Sequence, residues 1–447
     1  MRLYPDSKVY ILCPGNHHTG GIEDLHQICS QLITFGVDAY MVYIVNNSFN
    51  LKTDPVDSLY RKYHLSYSLS PEDSAHNIFV VPEIFSVHFY RMKNFQKIFW
   101  WLSVDNYIEE VVKLINSRKS SALSALMPKF FYFGKEDNDI THFAQSEYAR
   151  QFLIVNGVPE YKIYMVEDYI GQAFLSRASQ IDLSKKENFV AFNPAKGFEV
   201  TQQLMKFAPD IDWRPIQNMT PEQVQELLAR AKVYIDFGNH PGRDKIPREA
   251  AISGCVVITG RRGSAGNDID INIPAEFKFD ERKINLQQII SKIREVFENF
   301  SAAHEKQADY RARILDDKNR FAEEVAEAFK IKNLPPPSLA FVQGTDDKIL
   351  LLAKELFKSK DFKPSFIVDD EMASPKNPDR FIFHNQNRNY LRIGENLIEI
   401  ITKADAKFLY QEGRIKKFAL FEPKDIELAE VKNFYKPNYD DVMIFNR

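Results

Sequence analysis

Apolar runs and helical stripes alternate along the chain up to about residue 330. Residues 8–13 form an apolar run that predicts a strand. A polar loop from Pro14 to Gly21 follows, and Ile22, Leu25, Ile28, Cys29 and Leu32 then recur at the helical period. Gly36 stops that helix, and residues 38–45 predict a second strand. Further strands are expected at 77–81, 97–104 and 141–145, the last feeding a helix at 147–155 that Asn156-Gly157 ends. A polar stretch, 176–188, separates this half from a second with the same alternation. There a strand at 189–192 runs into the turn Asn193-Pro194-Ala195-Lys196-Gly197 and a helix at 199–207. Thr220-Pro221-Glu222-Gln223 has the pattern of a helix start, and Val224, Leu227, Leu228 and Ala231 then share one face. Alternating strands and helices argue for α/β domains on mainly parallel sheets, and two in succession place a cleft between them.

The stretch 233–274 carries the most information. It reads as strand, loop, helix, strand and a glycine-rich loop. The first loop holds Gly238, His240, Gly242, Arg243 and Lys245; the helix opens at Ile246-Pro247-Arg248-Glu249 and ends at Ser253-Gly254. A helix N-terminus with basic neighbours at the carboxyl end of a strand can hold a phosphate. A βαβ unit without a ligand has the same spacing, so both readings stand at this level. The turn after the first strand is not GxGxxG and does not mark a dinucleotide site.

From 284 to 328 the pattern is helical and highly charged, with Ile290, Ile293, Val296 and Phe297 in one stripe. Residues 333–338, Asn-Leu-Pro-Pro-Pro-Ser, read as a semi-rigid linker. Beyond it, 339–447 reads as a small α/β domain of unassigned role. Its expected strands lie at 339–342, 365–368, 380–384 and 418–421, and its helix at 346–357. The run Ile349-Leu350-Leu351-Leu352 in that helix suggests burial on more than one side. The domains are therefore placed at 1–175, 187–332 and 339–447.

Composition narrows the class. A length of 447 residues calls for two or three domains, and a net charge of −3 gives no support for a nucleic-acid partner. Cys13, Cys29 and Cys255 stand far apart in or beside apolar segments, which suits buried thiols in a reducing compartment. No leader peptide and no membrane span are legible, so a cytoplasmic protein is expected. His17 and His18, with His26 further on, invite a metal reading, but no carboxylate partner accompanies them, and no metal is expected.

Several motifs together resemble the GT-B glycosyltransferases, in particular the large group that uses nucleotide sugars. The stretch Pro241-Gly-Arg-Asp-Lys-Ile-Pro-Arg-Glu-Ala-Ala-Ile-Ser-Gly-Cys-Val-Val-Ile258 is similar to that family's E-x7-E segment, with Pro247, Glu249, Ala250, Gly254, Val256 and Val257 in register. The strand ending at Lys196-Gly197 resembles the family's Lys-Gly turn, and Thr19-Gly20-Gly21 with Glu23 its N-terminal Gly-Gly loop. Trp100 to Asn106 and Gln145 to Ala149 are similar to members from bacterial surface-polysaccharide clusters. The resemblance covers about residues 8–330. It implies an α/β GT-B fold, two Rossmann-like domains facing a cleft, to which this chain adds its small C-terminal α/β domain.

By position, the resemblance implies that Glu249 binds the donor ribose, that Lys196 lies against the diphosphate, and that the backbone at Gly242, Asp244 and Lys245 contacts sugar or phosphate. Gly20 and Gly21 would let the backbone approach the donor. It implies no cofactor and no metal, since basic side chains and a helix N-terminus stabilise the leaving group. The expected partners are a nucleotide sugar and a glycan or lipid-linked glycan acceptor, with peripheral contact at the inner membrane face. The chain departs from the pattern at Pro241, where the family has its first Glu, and at Asn193, near a usual basic residue. Arg243 or Lys245 is then the candidate second cation, and His240 a candidate donor to phosphate. On the acceptor side stand His18 and Asp105, the latter at the end of an expected strand or at a helix cap. Each has an alternative: Glu249 as a first-turn acid, Lys196 as a solvated turn lysine, Arg243 and Lys245 as a surface pair, His240 as a loop histidine. Arg261-Arg262 faces either the nucleotide or solvent, and Trp100 and Trp101 read as core before sugar platform. Two other functions fit the same residues: transfer of another phosphate-linked group, and a GT-B-like scaffold without catalysis.

Overall fold

The computed structural model describes residues 1–46, 48–119, 131, 133, 139–332, 338–344, 347–358, 362–373, 382–385, 388–393 and 396–445. These divide into two compact units. The first comprises Met1–Cys13, Thr19–Leu25 and Ser70–Lys330; the second comprises Pro14–His18, His26–Leu69 and Ile331–Arg447.

The first unit holds two parallel sheets. In one, the strands Lys8–Pro14, Ile78–Pro82, Gln96–Trp101, Thr141–Ala144 and Ile163–Met165 pair in that order, all parallel. Their residues are apolar on both faces, as a sheet covered on both sides requires. Trp100 and Trp101 are fully buried in it, and each indole N–H has a partner: Val166 O at 3.1 Å and His142 Nδ1 at 3.0 Å. Burial pushes His142 down to about 3, so its ring is a neutral acceptor at physiological pH. In the other sheet the order is Val256–Thr259, Ala231–Asp236, Glu187–Phe192, Asp212–Pro215, again parallel. Its core runs from Val190 and Tyr234 through Val257 to the stripe Ile289, Ile290, Ile293 and Val296 of the helix Leu286–Glu298. Thr220 and Gln223 form the reciprocal capping box expected for the helix Pro221–Arg230.

The polar stretch 176–188 contains the end of the helix Gln172–Ala178 and a turn, Leu183–Lys185. Lys186 then buries its amine against Leu228 O at 2.8 Å, Ala231 O at 2.9 Å and Ser253 O at 2.6 Å. Burial lowers the pKa of that amine, and three carbonyls satisfy its three N–H donors. Two expectations around residue 104 are corrected. The strand expected to reach residue 104 stops at Trp101, and Val104 opens the helix Val104–Lys119. Asp105 therefore lies in a helical first turn, not at a strand end or cap.

Among the described residues of the second unit, seven strands form one sheet. Its order is Ile382–Asn385, Arg388–Ile393, Asn396–Ile401, Lys363–Val368, Ser338–Phe341, Lys417–Phe421, Val442–Phe445. The last five are parallel, and the first two add an antiparallel edge. Apolar clusters cover both faces, one around Phe418 and Leu409, the other around Phe341 and Ile349. The helix Asp347–Leu356 buries Ile349 but leaves Leu351 67% exposed, so its apolar run is not buried all round. Helices Lys403–Gln411 and Asp425–Tyr435 and the strand Val442–Phe445 were not legible in the sequence. Most of the proline-rich stretch, 333–337, lies outside the described residues. His64 is clasped in this unit, its Nδ1 3.3 Å from Glu399 and its Nε2 3.2 Å from Asp405. All three cysteines are buried thiols outside any disulfide. Among the described residues no helix is long and apolar enough to cross a membrane.

Candidate functional site

The site grows from two neighbouring strand ends of the first unit. The strand Glu187–Phe192 leads into a turn in which Asn193 Oδ1 accepts from Ala195 N at 3.0 Å. Gly197 closes the turn with φ at 67° and starts the helix Phe198–Phe207. A side chain at Gly197 would collide with the backbone of Phe237 and Gly238, so close approach as well as positive φ demands glycine. The turn thus presses Lys196 against the loop that follows the adjacent strand, Ala231–Asp236. Lys196 Nζ pairs with Asp244 and reaches Asn239 O at 3.3 Å.

That second loop is tightly built. Asp236 receives Gly238 N at 2.9 Å and Tyr234 Oη at 3.1 Å. His240, with no exposed surface, lies between two carboxylates: Nδ1 is 2.8 Å from Asp244 and Nε2 3.6 Å from Asp236. Asp244 occupies the N-cap of the helix Lys245–Ile252 without capping it by its side chain. Burial opposes its charge, but His240 and Lys196 outweigh burial and hold its carboxyl below the ordinary range.

Glu249 follows on the first turns of that helix and is half-buried. Burial raises it to about 7, against the pull of Lys245 and with a push from Glu23. Lys245 Nζ stands 3.0 Å from Glu23 and 2.9 Å from Asp24, both on the helix Gly20–Thr34. Gly20 lies over the Lys245 side chain and Gly21 over Leu102, each with room for an ordinary Cβ contact. The packing of the unit therefore does not itself require glycine at either place.

The two halves of the first unit meet around this loop. Asn239 Nδ2 donates to Asp105 at 2.7 Å, Val104 N to Pro241 O at 3.0 Å, and Arg243 N to Gln145 Oε1 at 3.1 Å. Gly242 faces Leu102 O so closely that a Cβ would overlap it. Asp270 caps the opposite helix by accepting from Glu147 N at 2.8 Å and Tyr148 N at 3.0 Å. Pro241 thus contributes a backbone carbonyl to the seam between the halves.

Arg243 departs from its expected role. Its side chain is 1% exposed, with Glu167 at 2.8 Å, Asp317 at 2.9 Å and the Asp168 carbonyl at 2.9 Å. Arg248, also buried, adds Asp168 at 2.5 Å and Asp317 at 3.3 Å. A guanidinium sealed among three acids has no face for a diphosphate, so Arg243 joins the framework beneath the loop. Arg262 is the more open cation here: its side chain is 43% exposed and donates to Phe237 O at 2.8 Å. His18 belongs to the second unit, exposed and 3.7 Å from Asp57. His17 is exposed, whereas His26 is buried, bonded to Tyr43 Oη at 2.9 Å and stacked on Tyr60.

Two buried acids escaped the sequence reading. Burial raises Asp24 to about 7 despite Lys245, and Gln145 donates to it at 2.8 Å. Burial raises Glu83 to about 8, and its carboxyl accepts from Leu102 N at 2.9 Å. Glu83 directly follows the apolar run ending at Pro82, and an acid at a parallel strand's carboxyl end was the available signal.

No family model matches the chain, and no curated protein matches it. Solved structures do. HepE from Anabaena, in complex with UDP-glucose, is 12% identical, with 72% of this chain and 99% of that chain covered and a TM-score of 0.48. Sucrose-phosphate synthase from Thermosynechococcus elongatus is 12% identical over 72% of this chain and 98% of that one, also at 0.48. WaaG, a glycosyltransferase involved in lipopolysaccharide biosynthesis, is 12% identical over 71% and 99%, at 0.43.

Proposed function

We propose that the chain is a GT-B glycosyltransferase moving a sugar from a nucleotide donor to a bacterial surface glycan, capsule or lipopolysaccharide, without a bound metal. One observation carries the reading. Lys196 and the N-terminus of the helix Lys245–Ile252 converge at the carboxyl ends of adjacent parallel strands, opposite buried acids of the other half. Anionic leaving groups are held in such places by fixed donors and cations.

In this reading the bond from the sugar's anomeric carbon to the diphosphate oxygen breaks, and the nucleoside diphosphate leaves with the electron pair. An acceptor hydroxyl forms the new bond and gives up its proton. Lys196 stabilises the charge on the diphosphate, aided by backbone N–H groups near Gly242, Asp244 and Lys245. Glu249 takes the ribose hydroxyls. Gly20 and Gly21 leave space for the donor, His240 supports the phosphate side, and Asp105 meets the acceptor. The protein works in the cytoplasm, in peripheral contact with the inner membrane face. Pro241 and the enclosed Arg243 favour one second reading, a GT-B-like scaffold that no longer transfers.

Release of nucleoside diphosphate from a panel of nucleotide sugars, with surface-glycan acceptors added, separates the two. Acceptor-dependent release that Lys196→Ala removes supports transfer. A nucleotide that binds and is never released from its sugar supports the scaffold.

A further inference from the structure

Asp244 stands where an aspartate ordinarily caps its own helix, yet its carboxylate makes no capping bond. Its oxygen Oδ2 turns instead to Lys196 Nζ and, at 2.8 Å, to His240 Nδ1. Lys196 is 29% exposed and Asp244 22%, so the pair sits at the surface of the site, whereas His240 is sealed beneath it. The Lys196 amine also reaches Asn239 O at 3.3 Å. Asp236 flanks His240 at 3.6 Å on its far side and is already engaged by Gly238 N and Tyr234 Oη. The charge of Lys196 is therefore balanced within the protein itself, by a group four residues from His240 on the loop that would receive the donor.

We propose that Asp244 is a positioning residue and internal counter-ion: it holds Lys196 and His240 in place and yields Lys196 to the donor's diphosphate. The inference rests on the donor-site reading above. A diphosphate and Asp244 compete for one ammonium, and both are anions. Removing the carboxylate's charge thus frees the cation and lifts a repulsion together, so binding tightens. Transfer nevertheless slows, because Lys196 and His240 lose the group that aligns them. A purely structural aspartate has the opposite signature, weaker binding from a loosened loop.

The test is calorimetric titration of the full-length protein with UDP, GDP, ADP and CDP, followed by the same titrations of Asp244→Asn. The expected result is a dissociation constant at least five-fold lower for the variant. A lower KM for the donor and a lower kcat should accompany it. In a Lys196→Met background the gain should disappear. Asp244→Ser, which offers the helix a capping hydroxyl without the charge, replaces the asparagine variant if that does not fold. An unchanged or weaker affinity in a wild type that does bind overturns the inference, as does a gain that persists without Lys196. A wild type that binds none of the four refutes the donor-site reading, and the inference falls with it.

Discussion

Replacing Arg243 with alanine separates framework from ligand chemistry. In the folded protein its guanidinium is 1% exposed and meets Glu167 at 2.8 Å and Asp317 at 2.9 Å. Breaking a buried ion pair from one side costs about 3–5 kcal/mol, because the partner charge stays buried and uncompensated. Here the acids keep other partners. Arg313 remains 3.0 Å and Arg320 2.8 Å from Glu167, and Arg248 3.3 Å and Arg320 3.4 Å from Asp317. The loss should therefore lie near the lower end, about 3 kcal/mol. For a unit of this size that lowers the melting temperature by roughly 5 °C. The assay is thermal unfolding by circular dichroism, paired with nucleoside diphosphate titration well below the transition. The expected pair of results is the melting shift with affinity changed by less than about two-fold, an effect near the limit of significance in free energy. A variant that melts like wild type and loses its nucleotide affinity would refute the reasoning and return Arg243 to the diphosphate.

Three further outcomes follow from the geometry. Gly197→Ala should destabilise the first unit by at least about 2 kcal/mol, from its positive φ and the overlap with Phe237 and Gly238, as read by urea unfolding. Glu83 keeps its proton in the folded state up to about pH 8, whereas the unfolded chain loses it near its ordinary value of 4.5. Stability should fall as pH rises across that window, by up to about 5 kcal/mol, and Glu83→Gln should flatten the fall; an equally steep decline in the variant would count against it. His64 moves in the same direction for a different reason: burial lowers its pKa, but Asp405 and Glu399 outweigh burial and raise it above 6.5. Its contribution to the second unit is full below pH 6.5 and fades as pH rises through the folded value. His64→Asn should therefore destabilise more at pH 6 than at pH 9, a difference that melting curves at the two pH values would show.

The local signals that proved readable were those in which sequence neighbours satisfy one another. Thr220 and Gln223 close their capping box within four residues, and the turn at Lys196-Gly197 follows its strand directly. Trp100 and Trp101 misled at their boundary, since an apolar run gives no sign that the strand stops at Trp101 and a helix opens at Val104. The role of Arg243 was out of reach for another reason. Its acids lie about 75 positions away on either side, and only tertiary packing shows that a loop arginine beside glycines is sealed. Asp244 was likewise placed near the donor through its backbone, while the turn of its carboxylate toward Lys196 and His240 is set by two separate strand ends. In 339–447 four of the strands were legible, but the strands Arg388–Ile393, Asn396–Ile401 and Val442–Phe445 and the helix Asp425–Tyr435 were not.

The central claim is that the first unit binds a nucleotide-sugar donor at Glu249 and Lys196. Thermal stabilisation of the purified protein across nucleoside diphosphates and nucleotide sugars, with Glu249→Ala beside it, tests this most directly. A ligand at about 100 times its dissociation constant adds roughly 2.7 kcal/mol to the native state. The account predicts a clear upward shift with one nucleotide family in phosphate-free buffer, lost in Glu249→Ala. No shift with any nucleotide in that buffer would contradict it.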